Sequence, residues 1–192
     1  MKNDFFDFSE LKHLGKNVII GKHVRIRHPE RVSIGDYSII DDFTYISTHL
    51  TVGRFVHIGA NTVIMGGDGA CIYEDFSTSA PGCSLVTCSD DYVSGMGSPI
   101  IPRRFKGDAV VGKIHLQQHV VLGTNTVVFP NVTLHAGAAT AAMTVVNKDL
   151  QEWVLYAGIP ARKVKNRDRE KILGFARQFL EEYESNGQRI VP

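Results

Sequence analysis

The chain has 192 residues, 43% of them hydrophobic, and a formal net charge of +1, so it can bury a core within one domain. The near-neutral charge gives no electrostatic reason to expect nucleic acid or an anionic membrane as a partner. Three cysteines without a CxxC pair indicate neither a disulfide framework nor a zinc ribbon. The N-terminus lacks a long apolar region and no segment approaches about 18 consecutive apolar residues, so we expect a soluble cytoplasmic protein.

Residues 1–17 combine three phenylalanines with charged residues, and we expect them to form an N-terminal cap. From residue 18 onward, aliphatic residues recur every six positions. The spacing is unbroken at Ile34, Ile40, Ile46, Val52, Ile58 and Ile64, and it resumes near Leu116 and Leu122. Neither a helix, with a period of about 3.6, nor an alternating strand predicts this pattern. A period of six indicates short parallel strands stacked in coils, so the sequence predicts an all-β parallel β-helix over residues 18–165.

Residues 88–109 interrupt the repeat with glycines, prolines and polar residues. An irregular insertion of about 20 residues in a compact repeat is more often functional than not. Asp90 and Asp91 offer two carboxylates that could orient an ammonium or relay its proton through water. An Asp-rich turn is the alternative interpretation of the same pair.

The rest of the insertion is expected to form the wall of a substrate pocket from Ser89, Tyr92, Arg103 and Arg104 together with Lys106. Three cations within four residues suit a phosphate group, which favours a nucleotide-linked substrate. A solvated basic turn explains the same cations equally well.

Residues 167–186 predict a helix within a C-terminal segment that spans residues 166–192. Apolar residues recur at three- and four-residue spacing and make one stripe: Ile172, Phe175, Ala176, Phe179, Leu180 and Tyr183. We expect this helix to pack on the surface of the coils or on a neighbouring subunit.

The hexads, together with three short segments, resemble the hexapeptide-repeat acyltransferases of the branch that acts on sugars and small xenobiotics. The segments are Leu122-Gly123-Thr124, Val145-Val146-Asn147-Lys148-Asp149 and Gly158-Ile159-Pro160-Ala161-Arg162-Lys163-Val164. The resemblance implies a left-handed parallel β-helix, assembly as a homotrimer, and acyl transfer from acetyl-CoA bound between subunits. No metal is expected, because the histidines are not clustered as zinc ligands would be.

The resemblance also implies roles for individual residues. Thr124 and Ala142 fall where backbone groups of the family meet the pantetheine arm of coenzyme A. Lys148, Arg162 and Lys163 fall where cations approach its phosphates, although solvated surface charges would give the same sequence.

The sequence departs from the family at the catalytic base. In the galactoside and xenobiotic branch, a histidine follows the first run of hexads, but residues 58–114 contain none. His49 and His57 resemble the two histidines on adjacent hexads of the nucleotide-amino-sugar acetyltransferases, and His57 is the favoured candidate. Surface histidines are the alternative.

These observations predict an acetyl-CoA-dependent N-acetyltransferase that acts on a nucleotide-linked amino sugar in surface-polysaccharide synthesis. The acceptor would attack the thioester directly, without an acyl-enzyme on Cys83 or Cys88. O-acetylation of a sugar or small hydroxyl compound is the alternative of the same class. A non-catalytic β-helix scaffold and a zinc hydratase are the alternatives of other classes.

Overall fold

A computed structural model describes residues 3–98 and 100–187. Three parallel sheets form the sides of a stack of about seven coils. The first sheet contains β1 (His13–Leu14), β4 (Val32–Ile34), β7 (His49–Val52), β10 (Ala70–Tyr73), β15 (Lys113–Leu116) and β18 (Val132–Leu134). The second contains β2 (Ile19–Ile20), β5 (Ile39–Ile40), β8 (His57–Ile58), β11 (Thr78–Ser79), β16 (Val121–Leu122), β19 (Ala139–Thr140), β21 (Val154–Ala157) and β22 (Arg162–Asn166). The third contains β3 (Arg25–Ile26), β6 (Tyr45–Ile46), β9 (Val63–Met65), β12 (Ser84–Val86), β17 (Val127–Val128) and β20 (Val145–Val146).

The other features of the fold are two antiparallel pairings, one α-helix and three short 3-10 helices among the described residues. Strand β13 (Cys88–Ser89) pairs antiparallel with β14 (Val110–Val111), and β22 runs antiparallel to β21 at the end of the second sheet. One helix, α1 (Arg169–Ser185), follows the last strand. Short 3-10 helices lie at Phe8–Glu10, Pro29–Arg31 and Arg103–Phe105. No helix among residues 3–98 and 100–187 is long and apolar enough to cross a membrane.

The six-residue period sets the interior of the coils. Each of the six regularly spaced aliphatic residues from Ile34 to Ile64 is at most 3% exposed, and together they form part of one continuous core. Each falls on a strand of a different side in turn, because three hexads complete one coil. The predicted all-β parallel β-helix with an insertion and a C-terminal helix is therefore confirmed.

The structure adds detail at the boundaries of the predicted segments. The first strand of the coils, β1, begins at His13 and pairs with β4, inside the segment expected to be a cap. The eight-residue step between Ile26 and Ile34 accommodates the 3-10 helix Pro29–Arg31 at a corner. Helix α1 begins two residues after and ends one residue before the predicted helix, and the side chain of Asp168 caps it by accepting from the amide of Lys171.

An aromatic column runs along the corner between the first and second sheets. Tyr37, Phe55, Phe76 and His119 occupy equivalent corner positions on successive coils, all with positive φ between 57° and 62°. Their rings stack with centroids 5.7, 5.1 and 5.2 Å apart along the column. The stacking and the covering helix offset the strain that a positive φ imposes on large side chains.

Helix α1 covers this aromatic column with most of the apolar stripe that its sequence predicts, whereas Phe175 of that stripe is 61% exposed. The ring of Phe179 meets Phe55 edge-on at 5.2 Å, and that of Tyr183 meets Tyr37 edge-on at 5.4 Å. The guanidinium of Arg167, just before the helix, donates to the carbonyls of His119 and Gly137. The helix therefore packs on its own coils, which is the first of the two placements expected for it.

His119 should make the fold sensitive to acid. Burial and the neighbouring Arg167 cation lower the pKa of its imidazole below the ordinary value of 6.5. The unfolded chain then binds a proton at this histidine more readily than the folded chain does. The stability that neutral His119 contributes is therefore fully present above about pH 6.5 and is lost as the pH falls. His119→Phe keeps an aromatic ring in the column, and Phe76 shows that phenylalanine adopts the same positive φ at the equivalent position. We expect this variant to show a smaller drop in melting temperature between pH 8 and pH 5.5. His13→Gln is the control, and an equal drop in all three proteins would contradict the prediction.

Candidate active site

The insertion leaves the coils at the corner between the third and first sheets. Thr87, the residue before it, is fully buried, and its hydroxyl lies 3.1 Å from that of Thr48 and donates to the carbonyl of Met65 at 3.0 Å. Gly66 packs directly against this anchor, because a Cβ atom there would lie 2.1 Å from the Thr87 hydroxyl. The Gly-rich segment at 66–69 thus serves as a tight corner beneath the insertion.

Asp91 holds the two limbs of the insertion together. Its Oδ1 atom accepts hydrogen bonds from the amides of Val93 and Ser94, and its Oδ2 atom accepts from the Ser94 hydroxyl and the amide of Asp108. These donors hold the pKa of the carboxyl well below its ordinary value. Gly107, with φ of 61°, leaves the room that this carboxylate needs. The Asp91 side chain is therefore engaged within the loop, as in the turn interpretation of the Asp pair.

Asp90 faces a cavity instead. Its Oδ1 atom lies 3.6 Å from Nζ of Lys106, and both side chains are about four-fifths buried, with 21% and 17% exposed. They line a cavity of about 280 Å³ at the base of the insertion, together with Cys88, Ile101, Arg103, Ala109 and Val111. The cavity thus presents one carboxylate and two cations on an otherwise largely apolar wall.

The other residues predicted for the acceptor pocket are placed differently. Arg103 lines this cavity, whereas Ser89 is not among the lining residues and its hydroxyl donates to the carbonyl of the adjacent Asp90. The guanidinium of Arg104 instead lies over its neighbour Phe105, 4.6 Å from the ring centroid. Tyr92 is 81% exposed and is not among the residues that line the cavity.

The sequence marks Lys106 as one of three clustered cations, but nothing in the sequence pairs it with Asp90. The pairing depends on how the two limbs fold back on each other, and Asp91 and Gly107 fix that fold. Opposite charges on either side of a Gly- and Pro-rich turn are the signal that could have indicated it.

The three cysteines are free thiols, and none is set up as a nucleophile. Cys71 and Cys83 are buried in the core, and burial raises the pKa of both thiols. Cys88 lines the cavity, where burial first and the Asp90 carboxylate second raise the pKa of its thiol. A raised pKa disfavours the thiolate that nucleophilic catalysis needs, which favours direct transfer without an acyl-enzyme.

The two candidate histidines lie on different sides of the coils. His57 projects from β8 in the second sheet, and its Nε2 atom lies 2.7 Å from Oδ2 of Asp41. It borders a second cavity of about 330 Å³ between that sheet and the aromatic column, which Tyr37, Ile39, Phe55, Val56, Phe76 and Phe179 also line. His49 begins β7 in the first sheet, next to Thr48 at the corner where the insertion leaves. The structure therefore does not bring the two histidines together within one chain.

The residues predicted to bind coenzyme A lie toward the C-terminal coils. Thr124 and Ala142 are exposed at the corner between the second and third sheets on consecutive coils, where the carbonyl of Thr124 accepts from the amide of Met143 at 2.8 Å. The carbonyl of Gly158 accepts from Val145 at the same corner, which places Arg162, at the start of β22, close by.

The predicted cations are spread more widely than these corner residues. Lys163 follows Arg162 on β22, which is exposed along its whole length, and lines a cavity of about 610 Å³ with Trp153, Arg167 and Arg169 among others. Lys148 lies apart, in the exposed turn after β20. Exposed cations on β22 also discourage further strand pairing at this edge of the sheet. Phosphate contact and protection of the edge are compatible roles for these side chains.

No group of three or more histidine, cysteine, aspartate or glutamate side chains suited to a metal ion occurs in the part of the chain that the structure describes. Two histidines instead contact carboxylates. His57 lies beside Asp41, and Nε2 of His115 lies 2.6 Å from Oε1 of Glu74.

Comparison with known proteins places the chain among acyltransferases, although no family model matches it. The N-acyltransferase AntD from Bacillus cereus, solved with dTDP and 3-hydroxybutyryl-CoA, is 34% identical and superposes with a TM-score of 0.89 over 95% of this chain and 99% of AntD. A variant of AntD solved with dTDP-4-amino-4,6-dideoxyglucose and coenzyme A gives a TM-score of 0.88 at the same identity, over 95% of this chain and 100% of the variant.

Curated relatives agree with the structural likeness. The dTDP-4-amino-4,6-dideoxy-D-glucose acyltransferase of Escherichia coli is 29% identical over 164 residues, which are 83% of this chain and 84% of the relative. The galactoside O-acetyltransferase of Escherichia coli K12 is 25% identical over 72% of this chain and 66% of its own length. With the repeat, the insertion and the coils described above, these likenesses show that the chain belongs to the hexapeptide-repeat acyltransferases, which confirms the resemblance seen in the sequence.

Proposed function

We propose that this protein transfers an acyl group, with acetyl as the first candidate, from coenzyme A to the amine of a nucleotide-linked amino sugar in surface-polysaccharide biosynthesis. The cavity at the base of the insertion carries the proposal, because it sets Asp90 beside Lys106 and Arg103. A carboxylate can accept a hydrogen bond from an amine, and the guanidinium of Arg103 suits the diphosphate of a nucleotide sugar. AntD and the Escherichia coli relative, whose names or ligands include an amino sugar linked to dTDP, support this acceptor class.

The proposed step is direct attack on the thioester. Asp90 is the acceptor-binding residue and orients the amine, Arg103 approaches the acceptor phosphates, and Ser89, next to Asp90 in the chain, is a further candidate for acceptor contact. Tyr92 and Arg104 would join the pocket through movement of the insertion or from a neighbouring copy. Asp91 contributes by holding the insertion in shape.

The donor is proposed to run along the corner of the second and third sheets. Backbone groups at Thr124 and Ala142 would contact the pantetheine arm, and the cations Arg162 and Lys163 would approach the phosphates of coenzyme A. Lys148 is a further phosphate-contacting candidate, and its separate position suits a donor that spans two subunits.

O-acetylation of a sugar hydroxyl is the second candidate function. The observation that favours it is the short contact between His57 and Asp41, since a carboxylate that orients a histidine is the usual partner of a general base. His49 is the other candidate base, and it lies at the corner from which the insertion leaves. A hydroxyl needs such a base more than an amine does, so loss of activity on changing either histidine would favour this candidate.

A homotrimer is the proposed assembly, and the outer face of the third sheet supports it. Its outward positions include Tyr45, Val63, Val127 and Val145, all partly exposed. Large apolar side chains at the adjoining corners extend this surface: Phe43 is 62% and Met143 is 61% exposed. Apolar side chains grouped on one face in this way suit contact with other copies of the chain. We further propose a cytoplasmic location, where free thiols and coenzyme A donors are both expected.

The experiment that tests the function is a thiol-release assay with acetyl-CoA. We expect coenzyme A release with dTDP-4-amino-4,6-dideoxyglucose and little with free sugars or hydroxyl acceptors. Acetyl-CoA should also raise the melting temperature, because a ligand that binds the native state stabilises it. Absence of both release and stabilisation would contradict the proposal, and transfer confined to hydroxyl acceptors would favour O-acetylation.

A further inference from the structure

The ion pair between Asp90 and Lys106 has a consequence for the protonation of the acceptor. The two side chains lie 3.6 Å apart and are largely shielded from solvent, and Arg103 lines the same cavity. An amine that enters therefore meets a carboxylate whose charge is already balanced. A carboxylate alone would favour the ammonium form, because an opposite charge within about 4–6 Å stabilises a charged group.

We propose that Lys106 is a positioning residue that balances the charge of Asp90, so that the acceptor amine binds in its unprotonated, nucleophilic form. The inference rests on the proposed function and deepens it. In the step itself, the nitrogen lone pair forms the new C–N bond and the C–S bond breaks, with its electron pair leaving on sulfur. One proton of the attacking nitrogen ends on the thiolate and gives free coenzyme A, so Lys106 itself neither gives nor takes a proton.

The fold holds Lys106 in this position from several directions. Its amide donates to the carbonyl of Arg103 at 3.0 Å and closes the 3-10 helix Arg103–Phe105. A Cβ atom on Gly95 of the opposite limb would lie 2.2 Å from the carbonyl oxygen of Lys106, so the two limbs are in close contact there. The next residue, Gly107, packs on the carboxylate of Asp91.

Other charged and titratable groups face the same region. Arg103 and the thiol of Cys88 line the cavity, and the carboxylate of Asp68 acts on Cys88 from the neighbouring corner. The Asp91 carboxylate is bonded to amides and a hydroxyl of the loop. Within this set, Lys106 is the cation in direct ion-pair distance of Asp90, which makes it the group to change.

The test compares Lys106→Met and Lys106→Arg with the unaltered protein, using acetyl-CoA and dTDP-4-amino-4,6-dideoxyglucose from pH 6 to pH 9.5. We expect the acid limb of the kcat profile to move about one pH unit higher in Lys106→Met, which lowers kcat at pH 7 about tenfold without raising KM. Lys106→Arg should keep the profile, since it retains the charge. A purely structural role would lower kcat at every pH without moving the limb.

Asp90→Asn provides an independent readout of opposite sign. With the carboxylate removed and both cations kept, the acid limb should move to lower pH, although the overall rate is low. The inference is overturned if Lys106→Met keeps the acid limb of the unaltered protein, or if Asp90→Asn moves it upward. If Lys106→Met does not fold, the Asp90→Asn profile decides alone. Failure of the unaltered protein to turn over any nucleotide-linked amino sugar would overturn the proposed function instead.

Discussion

Replacing Asp90 with alanine should lower kcat/KM for a nucleotide-linked amino sugar by about 100-fold at neutral pH. The variant loses the carboxylate that orients the amine, and loss of one charge-assisted hydrogen bond in a preorganised site costs about this much. It also leaves Lys106 and Arg103 in the cavity without an opposing charge. The measurement is the initial rate of thiol release, with the melting temperature recorded beside it.

Asp68→Asn is the matched control for this variant. Asp68 is also an aspartate near the base of the insertion, but its side chain is 87% exposed and pairs with Arg31 on the surface. We expect its kcat/KM to stay within about twofold, since exposed ion pairs contribute little. Equal activity in Asp90→Ala and Asp68→Asn would remove Asp90 from the proposed site.

The largest effect on stability is expected for Ile58→Ala. Ile58 is fully buried in the core and comes from the unbroken run of hexads. Truncating a buried isoleucine removes apolar contacts and leaves a cavity, which should lower the free energy of unfolding by about 2–5 kcal/mol. Urea unfolding at a fixed protein concentration measures the change, since self-association would otherwise alter the apparent stability.

Thr62→Val is the control from the next interior position of the same coil. Thr62 is also fully buried, and its Oγ1 atom has no hydrogen-bond partner among the described residues. Replacing an unsatisfied hydroxyl with a methyl group of the same shape should leave stability unchanged or raise it. A loss in Thr62→Val as large as that in Ile58→Ala would show that the interior tolerates no change, rather than that buried aliphatic contacts dominate.

The sequence was sufficient to predict the coils because a parallel β-helix repeats one local rule. Each inward aliphatic, such as Ile40 or Ile58, satisfies the same spacing whatever its partners are. The six-residue spacing does not predict the aromatic column. Phenylalanine rarely adopts positive φ, and Phe55 and Phe76 do so because their rings stack on neighbouring coils and under α1.

The candidate site was predictable in composition but not in arrangement. The insertion, its carboxylates and its cations stand out in the sequence, but two adjacent aspartates look alike until their partners are known. The Asp91 carboxylate accepts hydrogen bonds within the loop, whereas Asp90 faces the cavity. This difference depends on where the returning limb, which carries Lys106 and Asp108, meets the first limb. The pairing of Asp90 with Lys106 needs the same three-dimensional information.

Helix α1 lies along the stack of coils and covers the aromatic column, and its geometry limits how many coils one helix can cover. One helical turn advances about 5.4 Å, whereas adjacent strands of a sheet are about 4.8 Å apart. Phe179 and Tyr183, one turn apart, therefore meet neighbouring steps of the aromatic column almost in phase. The mismatch grows with every step, and the 17 residues of α1 span about 25 Å, or roughly five coils. One longer straight helix could not cover the aromatic column of a β-helix with many more coils in the same way, because the helical pitch and the spacing of the coils would drift out of phase.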